Sequence, residues 1–357
     1  MPTAFFAFRD APDRRAALRT PRSLDRYRLF GLDEIRAHGA HVRHNLEREQ
    51  APLWARATAT AVNRALRLTG GYGGDFASAL ASLRTANEAD VVFATADTVG
   101  IPLLLLKRAR LLRPPLVYSP IGLPERLVQV RRQRLYRNAL RGAHTVITYS
   151  QAEADWLRDW IGPGPPTIRF VPFGVDVEAF RPVDRAPDID VVAVGADPRR
   201  DFELLRTVAQ RHPELAFRIV ATREHARTLG ALPAHVSLET DIPLEDVRDC
   251  LAGARVVALP VRPNSYSGAT TVLLQAMALA KPVVVSRTEA ISKGYALEDG
   301  VNCRLVEPGD VDAFERALLD TLADSRGLGS RARETIEREF TWQRYTDTLW
   351  EILCAAS

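Results

Sequence analysis

Cysteine is scarce. The 357-residue chain has three, Cys250, Cys303 and Cys354, far apart in sequence. An odd, sparse set argues against a disulfide framework and carries no metal-ligand spacing, so all three read as small buried hydrophobes. No run of ~18 apolar residues exists, and no membrane span is expected. The opening MPTAFFAFRDAPDRR puts a short apolar run before its charges, the reverse of a secretory signal. A cytoplasmic protein is expected, with the inner membrane surface as the alternative address. No Gly-x-Gly-x-x-Gly follows a first strand, which weighs against a dinucleotide site, and no Walker A or Gly-x-Ser-x-Gly sequence appears. The glycine-rich GGYGGD, 70–75, follows a helix-like stretch rather than a strand, and reads as a flexible loop.

What is present is an ordinary globular composition, 46% apolar and 26% charged, in a chain long enough for two cores. The net charge is +4, and its excess is concentrated. Lys107 to Arg141 holds ten basic residues against one acid, Glu125. A basic helix over 126–141 is expected there, either as a solvated face or as a contact for anionic partners such as nucleotides or phospholipid headgroups. Aromatics are not interleaved with these arginines, so no nucleic-acid partner is expected.

Strand-like and helix-like segments alternate throughout. TAFFAF, ADVVFAT, PPLVYSP, HTVITYS and TIRFVPF read as strands, separated by helices that include RYRLFGLDEIRAHG and RLVQVRRQRLYRNALRGA. After the linker-like GVDVEAFRPVDRAPD the pattern restarts with IDVVAVGA, AFRIVAT, HVSLET, RVVALPV and KPVVVS. Two such series predict an α/β protein of two Rossmann-like domains with parallel sheets facing a central cleft, the default ligand site. The expected boundaries are 1–175, 176–340 and a terminal helix 341–357 packing back on the first domain.

Two strand-end loops can carry chemistry. In VGADPRRDFELL, Arg199 and Arg200 stand just before a helix that starts near Asp201. Guanidiniums beside free helix N–H groups suit a phosphate, though a pair of surface arginines satisfies the same pattern. In SYSGATTVLLQAMALAKPVVVS, the residues Ser267, Gly268, Ala269, Thr270 and Thr271 lead into a second helix. They can cradle a phosphate or simply cap the helix. Gln275 falls at i+4 from Thr271, facing either a ligand hydroxyl or water.

Taken in order, VITYSQAEADWL, IRFVPFGVDVEAFRP, LLQAMALAKPVVVS and DGVNCRLVEPGD resemble the retaining glycosyltransferases of family 4, which have the GT-B fold. The resemblance covers about residues 140–350. It implies a nucleotide-diphosphate-sugar donor on the second domain and a small-molecule or lipid acceptor on the first. It implies no cofactor and no metal, with the departing diphosphate as its own base. Family members carry two glutamates eight apart where this chain has Ser267 and Gln275, the second one binding the ribose. Their Arg–Lys pair for the diphosphate aligns with Ala196 and Arg200, with Arg199 as a substitute for the missing arginine. Their histidine on the acceptor side aligns with the region of Thr95 and Asp97. A nucleotide-sugar epimerase and a non-catalytic sugar-nucleotide binder are the alternatives.

Overall fold

The computed structural model describes every residue except Met1, Pro21, Arg48 and Arg326. The chain forms two compact units, one of residues 1–171 with 345–357, the other of residues 172–344. Each is built on a six-stranded sheet in which every pairing is parallel.

The first sheet contains β1 (Thr3–Ala7), β2 (His41–His44), β3 (Val91–Ala94), β4 (Leu116–Tyr118), β5 (Thr145–Thr148) and β6 (Thr167–Phe170), in the order β2-β1-β3-β4-β5-β6. Its inner strands β3, β4 and β5 are buried at every residue, as helices on both faces require. The edge strands β2 and β6 are partly exposed. The second sheet contains β7 (Ile189–Val194), β8 (Phe217–Ala221), β9 (Val236–Thr240), β10 (Ala254–Leu259), β11 (Val283–Ser286) and β12 (Arg304–Val306), in the order β12-β11-β10-β7-β8-β9. From β7 the chain builds outward through β8 and β9, then returns to lay β10 on the other side. The topological switch point is therefore between β7 and β10, where α/β sheets leave a crevice.

Several local expectations are corrected. RYRLFGLDEIRAHG is not one helix. A 3-10 turn over Ser23–Leu29 stops at Phe30 and Gly31, with φ of 52° and 85°, before the helix Leu32–Ala37. The basic stretch 126–141 is two helices, Leu123–Leu127 and Gln133–Leu140. Between them, the Arg131 N–H is given to the Gly70 carbonyl at 2.9 Å instead of a helical bond. GGYGGD is a packed loop, not a flexible one. The Asn63 amide holds the Gly74 backbone at both N–H and C=O, and a Cβ on Gly74 would fall 2.6 Å from the Thr98 carbonyl. Cys250 and Cys303 are buried, but Cys354 is exposed. Among the described residues no helix is long and apolar enough to cross a membrane.

Candidate functional site

The loops leaving β7 and β10 meet at the switch point of the second sheet. They are stitched together by backbone bonds from Asp201 N–H to the Pro260 carbonyl (2.9 Å) and from Arg262 N–H to the Arg199 carbonyl (2.8 Å). Arg200 turns back over the end of β7. A Cβ on Gly195 would lie 2.1 Å from its Nε, so only glycine leaves room for this side chain. Arg200 is 4% exposed, and its Nε and Nη1 have no hydrogen-bond partner. Burial lowers its pKa to about 10, against the opposing pull of Asp197 and Tyr266, so it remains a cation at neutral pH. A desolvated guanidinium with unused N–H groups is costly unless an anion completes it.

At the helix Phe202–Arg211, one of the N–H groups expected to be free beside Arg199 and Arg200 is taken. Asp201 caps it by accepting from Leu204 N–H at 3.4 Å, and also faces Arg262 at 3.4 Å. Arg199 is half-buried, and its backbone N–H donates to Asp197 at 2.7 Å. The same Asp197 carboxylate accepts from the Tyr266 hydroxyl at 2.9 Å. A Cβ on Gly268 would fall 2.8 Å from this carboxylate, so Asp197 ties the Arg199–Arg200 loop to the Ser267–Thr271 loop. The sequence pattern does not single out Asp197 or Tyr266, since both act across loops 69 residues apart.

The second loop opens into the helix Thr270–Ala278, whose N-cap, Ala269, has no capping side chain. The capping reading of Ser267, Thr270 and Thr271 is thereby excluded. Thr270 is 2% exposed, with an unpartnered hydroxyl, and the nearby Asn264 amide is unpartnered at both atoms. Gln275 is 4% exposed, so it does not face water.

Beside Arg200 lies a pocket of about 400 Å³, lined also by Phe202, Thr222, His225 and Arg262. It brings Arg200 together with the end of β8 rather than with Ser267–Gln275. His225 packs edge-on to Phe202 at 5.1 Å and lies 2.9 Å from the Thr222 hydroxyl. Neither residue is prominent in sequence. Their strand-end position after β8 is the only signal for them.

In the first unit, Thr95 is spent on structure. Its hydroxyl and its N–H both donate to the Ala7 carbonyl, at 3.1 and 3.0 Å. Asp97 is 3% exposed, accepts from the Tyr118 hydroxyl at 2.6 Å, and has the Arg126 Nε at 2.9 Å. Burial raises its pKa, opposed by Tyr118 and Arg126. Tyr118 fits because Gly100 has no side chain; a Cβ there would lie 2.2 Å from the ring. A second buried carboxyl, missed in the sequence, is Glu153 at the start of the helix Gln151–Ile161. It accepts from Leu123 N–H at 3.0 Å and is pushed up to about 8 by burial, then by the charge of Asp97. Part of the basic segment is likewise used internally. Arg126 lies over the Tyr72 ring, Arg137 over Trp160, and Arg141 donates to the Ile161 carbonyl.

Comparison with known proteins follows the division into units. Residues 35–179 match the family model "Glycosyltransferase Family 4", and residues 177–324 match "Glycosyl transferases group 1". The MMP alpha-(1->4)-mannosyltransferase of Mycolicibacterium hassiacum is 28% identical over 249 residues, 66% of this chain and 57% of that protein. The D-inositol 3-phosphate glycosyltransferase of Saccharomonospora viridis is 27% identical over 242 residues, 59% of this chain and 55% of that protein. The chain thus spans little more than half the length of these relatives. Among solved structures, a sucrose-phosphate synthase from Thermosynechococcus elongatus superposes over 100% of both chains with a TM-score of 0.74 at 18% identity. Anabaena HepE in complex with UDP-glucose covers 99% of this chain and 100% of that one, with a TM-score of 0.70 at 17% identity.

Proposed function

The chain belongs to the family 4 glycosyltransferases of GT-B fold, and from that premise we propose that it moves a sugar from a nucleotide-diphosphate donor to an acceptor hydroxyl with retention of anomeric configuration. The observation that carries this reading is Arg200, a buried cation with two unused N–H donors at the switch point of the second sheet. A diphosphate is the dianionic group such a position suits, and its negative charge grows as the sugar departs. Fixed donors aimed at that charge stabilise the transition state more than the ground state. Thr270, Thr271 and the uncapped helix start, with Ser267, Gly268 and Ala269, supply further donors. Arg199 supplements Arg200, and Gln275 orients the ribose. The leaving diphosphate accepts the acceptor proton, so neither metal nor cofactor is required.

The acceptor is a small molecule or a glycolipid, held on the first unit in the cytoplasm. There Asp97 positions Arg126 and Thr95 holds the strand ends. The relatives named for D-inositol 3-phosphate favour a phosphorylated acceptor. The basic segment 126–141 adds a peripheral membrane contact. The test is calorimetry with UDP and GDP, followed by NMR of the sugar released or transferred. Arg200→Ala is expected to weaken nucleoside diphosphate binding at least tenfold, roughly the loss of one charge-assisted contact. Unchanged affinity defeats the phosphate assignment, and a product of inverted configuration defeats retention.

A further inference from the structure

The helix Leu53–Leu68 in the first unit is built the wrong way round for a core helix. Only Ala55 and Ala59 are buried. Leu53, Trp54 and Leu68 are 80, 59 and 78% exposed. At 100° per residue, Leu53, Trp54, Ala57, Ala61, Ala65 and Leu68 fall on one outward stripe about 120° wide. Arg56 and Arg67 lie along one margin of that stripe, Arg64 falls within it near Leu53, and no acid occurs between 53 and 68. The same arginines line a cavity of about 500 Å³, with Thr60, Asn63 and the helix-capping Asp75.

The surface continues past the helix end. The bond from Arg131 N–H to the Gly70 carbonyl sets the loop 128–132 beside it, with Val128 59% exposed and Arg131 and Arg132 also exposed. An exposed tryptophan and two leucines beside three arginines, on a helix without acids, have the composition of a helix lying in a lipid interface. We propose that this face, Leu53–Leu68 with 128–132, docks on an anionic bilayer surface. Trp54, Leu53 and Leu68 enter the headgroup boundary, and the arginines meet lipid phosphates. A second copy of this chain is the poorer occupant, because pairing the stripe with itself sets Arg64 and its flanking arginines against their own copies, with no acid on the helix to offset them. Nucleic acid would engage the arginines and leave the apolar stripe uncovered.

The inference does not depend on the sugar-transfer reading, and its test is independent of turnover. The full chain is co-sedimented with vesicles of phosphatidylcholine alone and with vesicles carrying one third phosphatidylglycerol. Binding to the anionic vesicles only is expected. Each of Arg56→Ser, Arg64→Ser and Arg67→Ser should weaken it about fivefold. Trp54→Ser, which leaves every charge in place, should weaken it on the order of tenfold. These side chains are exposed, so unchanged melting temperatures verify that the variants fold. No binding to anionic vesicles overturns the proposal, as does equal binding to both vesicle types. So does a Trp54→Ser, Leu68→Ser double variant that binds like the parent, or one that alters only the sedimentation of the free protein.

Discussion

Asp197 sets the character of the candidate donor site at the scale of single residues. Its carboxylate holds Arg199 N–H and the Tyr266 hydroxyl, and its charge acts on Arg200. A negative charge there joins the two loops but opposes an incoming diphosphate. Asp197→Asn keeps an oxygen to accept both hydrogen bonds and removes the charge. We expect nucleoside diphosphate affinity to rise roughly fivefold, about 1 kcal/mol of relieved repulsion. Calorimetry with UDP that gives equal or weaker binding would show that the carboxylate acts only as a brace. Glu153 makes a separate prediction. Its folded pKa of about 8 lies above the ordinary carboxyl value, so the native state holds the proton more tightly than the unfolded chain. The associated stability is fully present below pH 4.5 and is lost as pH rises through about 8. The melting temperature should therefore fall between pH 5 and 9, and Glu153→Gln should flatten that fall. Parallel pH profiles in parent and variant would contradict the protonated assignment.

Elements differ in how legible they are from sequence, and the difference is physical. The strands β3, β5 and β11 are buried at every residue, and β7 and β10 at most of theirs, so their β-branched runs are conspicuous. The helix Leu53–Leu68 is not, because its apolar residues at helical spacing face solvent. The break at 128–132 is equally hidden, since its cause is the Gly70 carbonyl in a distant loop. At the site, strand-end position identifies Arg200 and the helix Thr270–Ala278, whereas Asp197, Tyr266, Thr222 and His225 enter only through tertiary contact. Close helix approach is another feature that spacing cannot reveal. The helix Leu328–Glu339 passes the end of the helix Thr270–Ala278 at Gly329, where a Cβ would lie 1.9 Å from the Ala280 carbonyl. Ala280 itself has a φ of 55°, so that backbone has little freedom to retreat. Gly329→Ala should cost about 1–3 kcal/mol of stability in urea unfolding. A variant as stable as the parent would mean that the two helices separate without penalty.

For the whole molecule, chain order and compactness disagree. The first unit is completed by residues 345–357, which follow the entire second unit in sequence. Within that first unit, Leu349, Ile352 and Leu353 are at most 2% exposed, and the Tyr345 hydroxyl meets that of Tyr149 at 3.1 Å. Gly31 lets this segment approach; a Cβ there would fall 2.9 Å from Thr346. The first unit is therefore assembled from segments that flank the second in sequence, whereas the donor-site loops lie wholly within 172–344. The two properties should separate in one variant. Leu349→Ala removes a fully buried side chain and should destabilise the first unit by about 2–5 kcal/mol. Nucleoside diphosphate affinity should stay within about twofold, because no donor-site residue touches the change. In calorimetric scans, saturating nucleotide at ~100 times its Kd should add about 2.7 kcal/mol to the transition of the second unit. That gain should be the same in parent and variant. If Leu349→Ala instead weakened nucleotide binding in proportion to its loss of stability, the two units would have to unfold as one. The donor site would then depend on the terminal segment as much as on its own sheet.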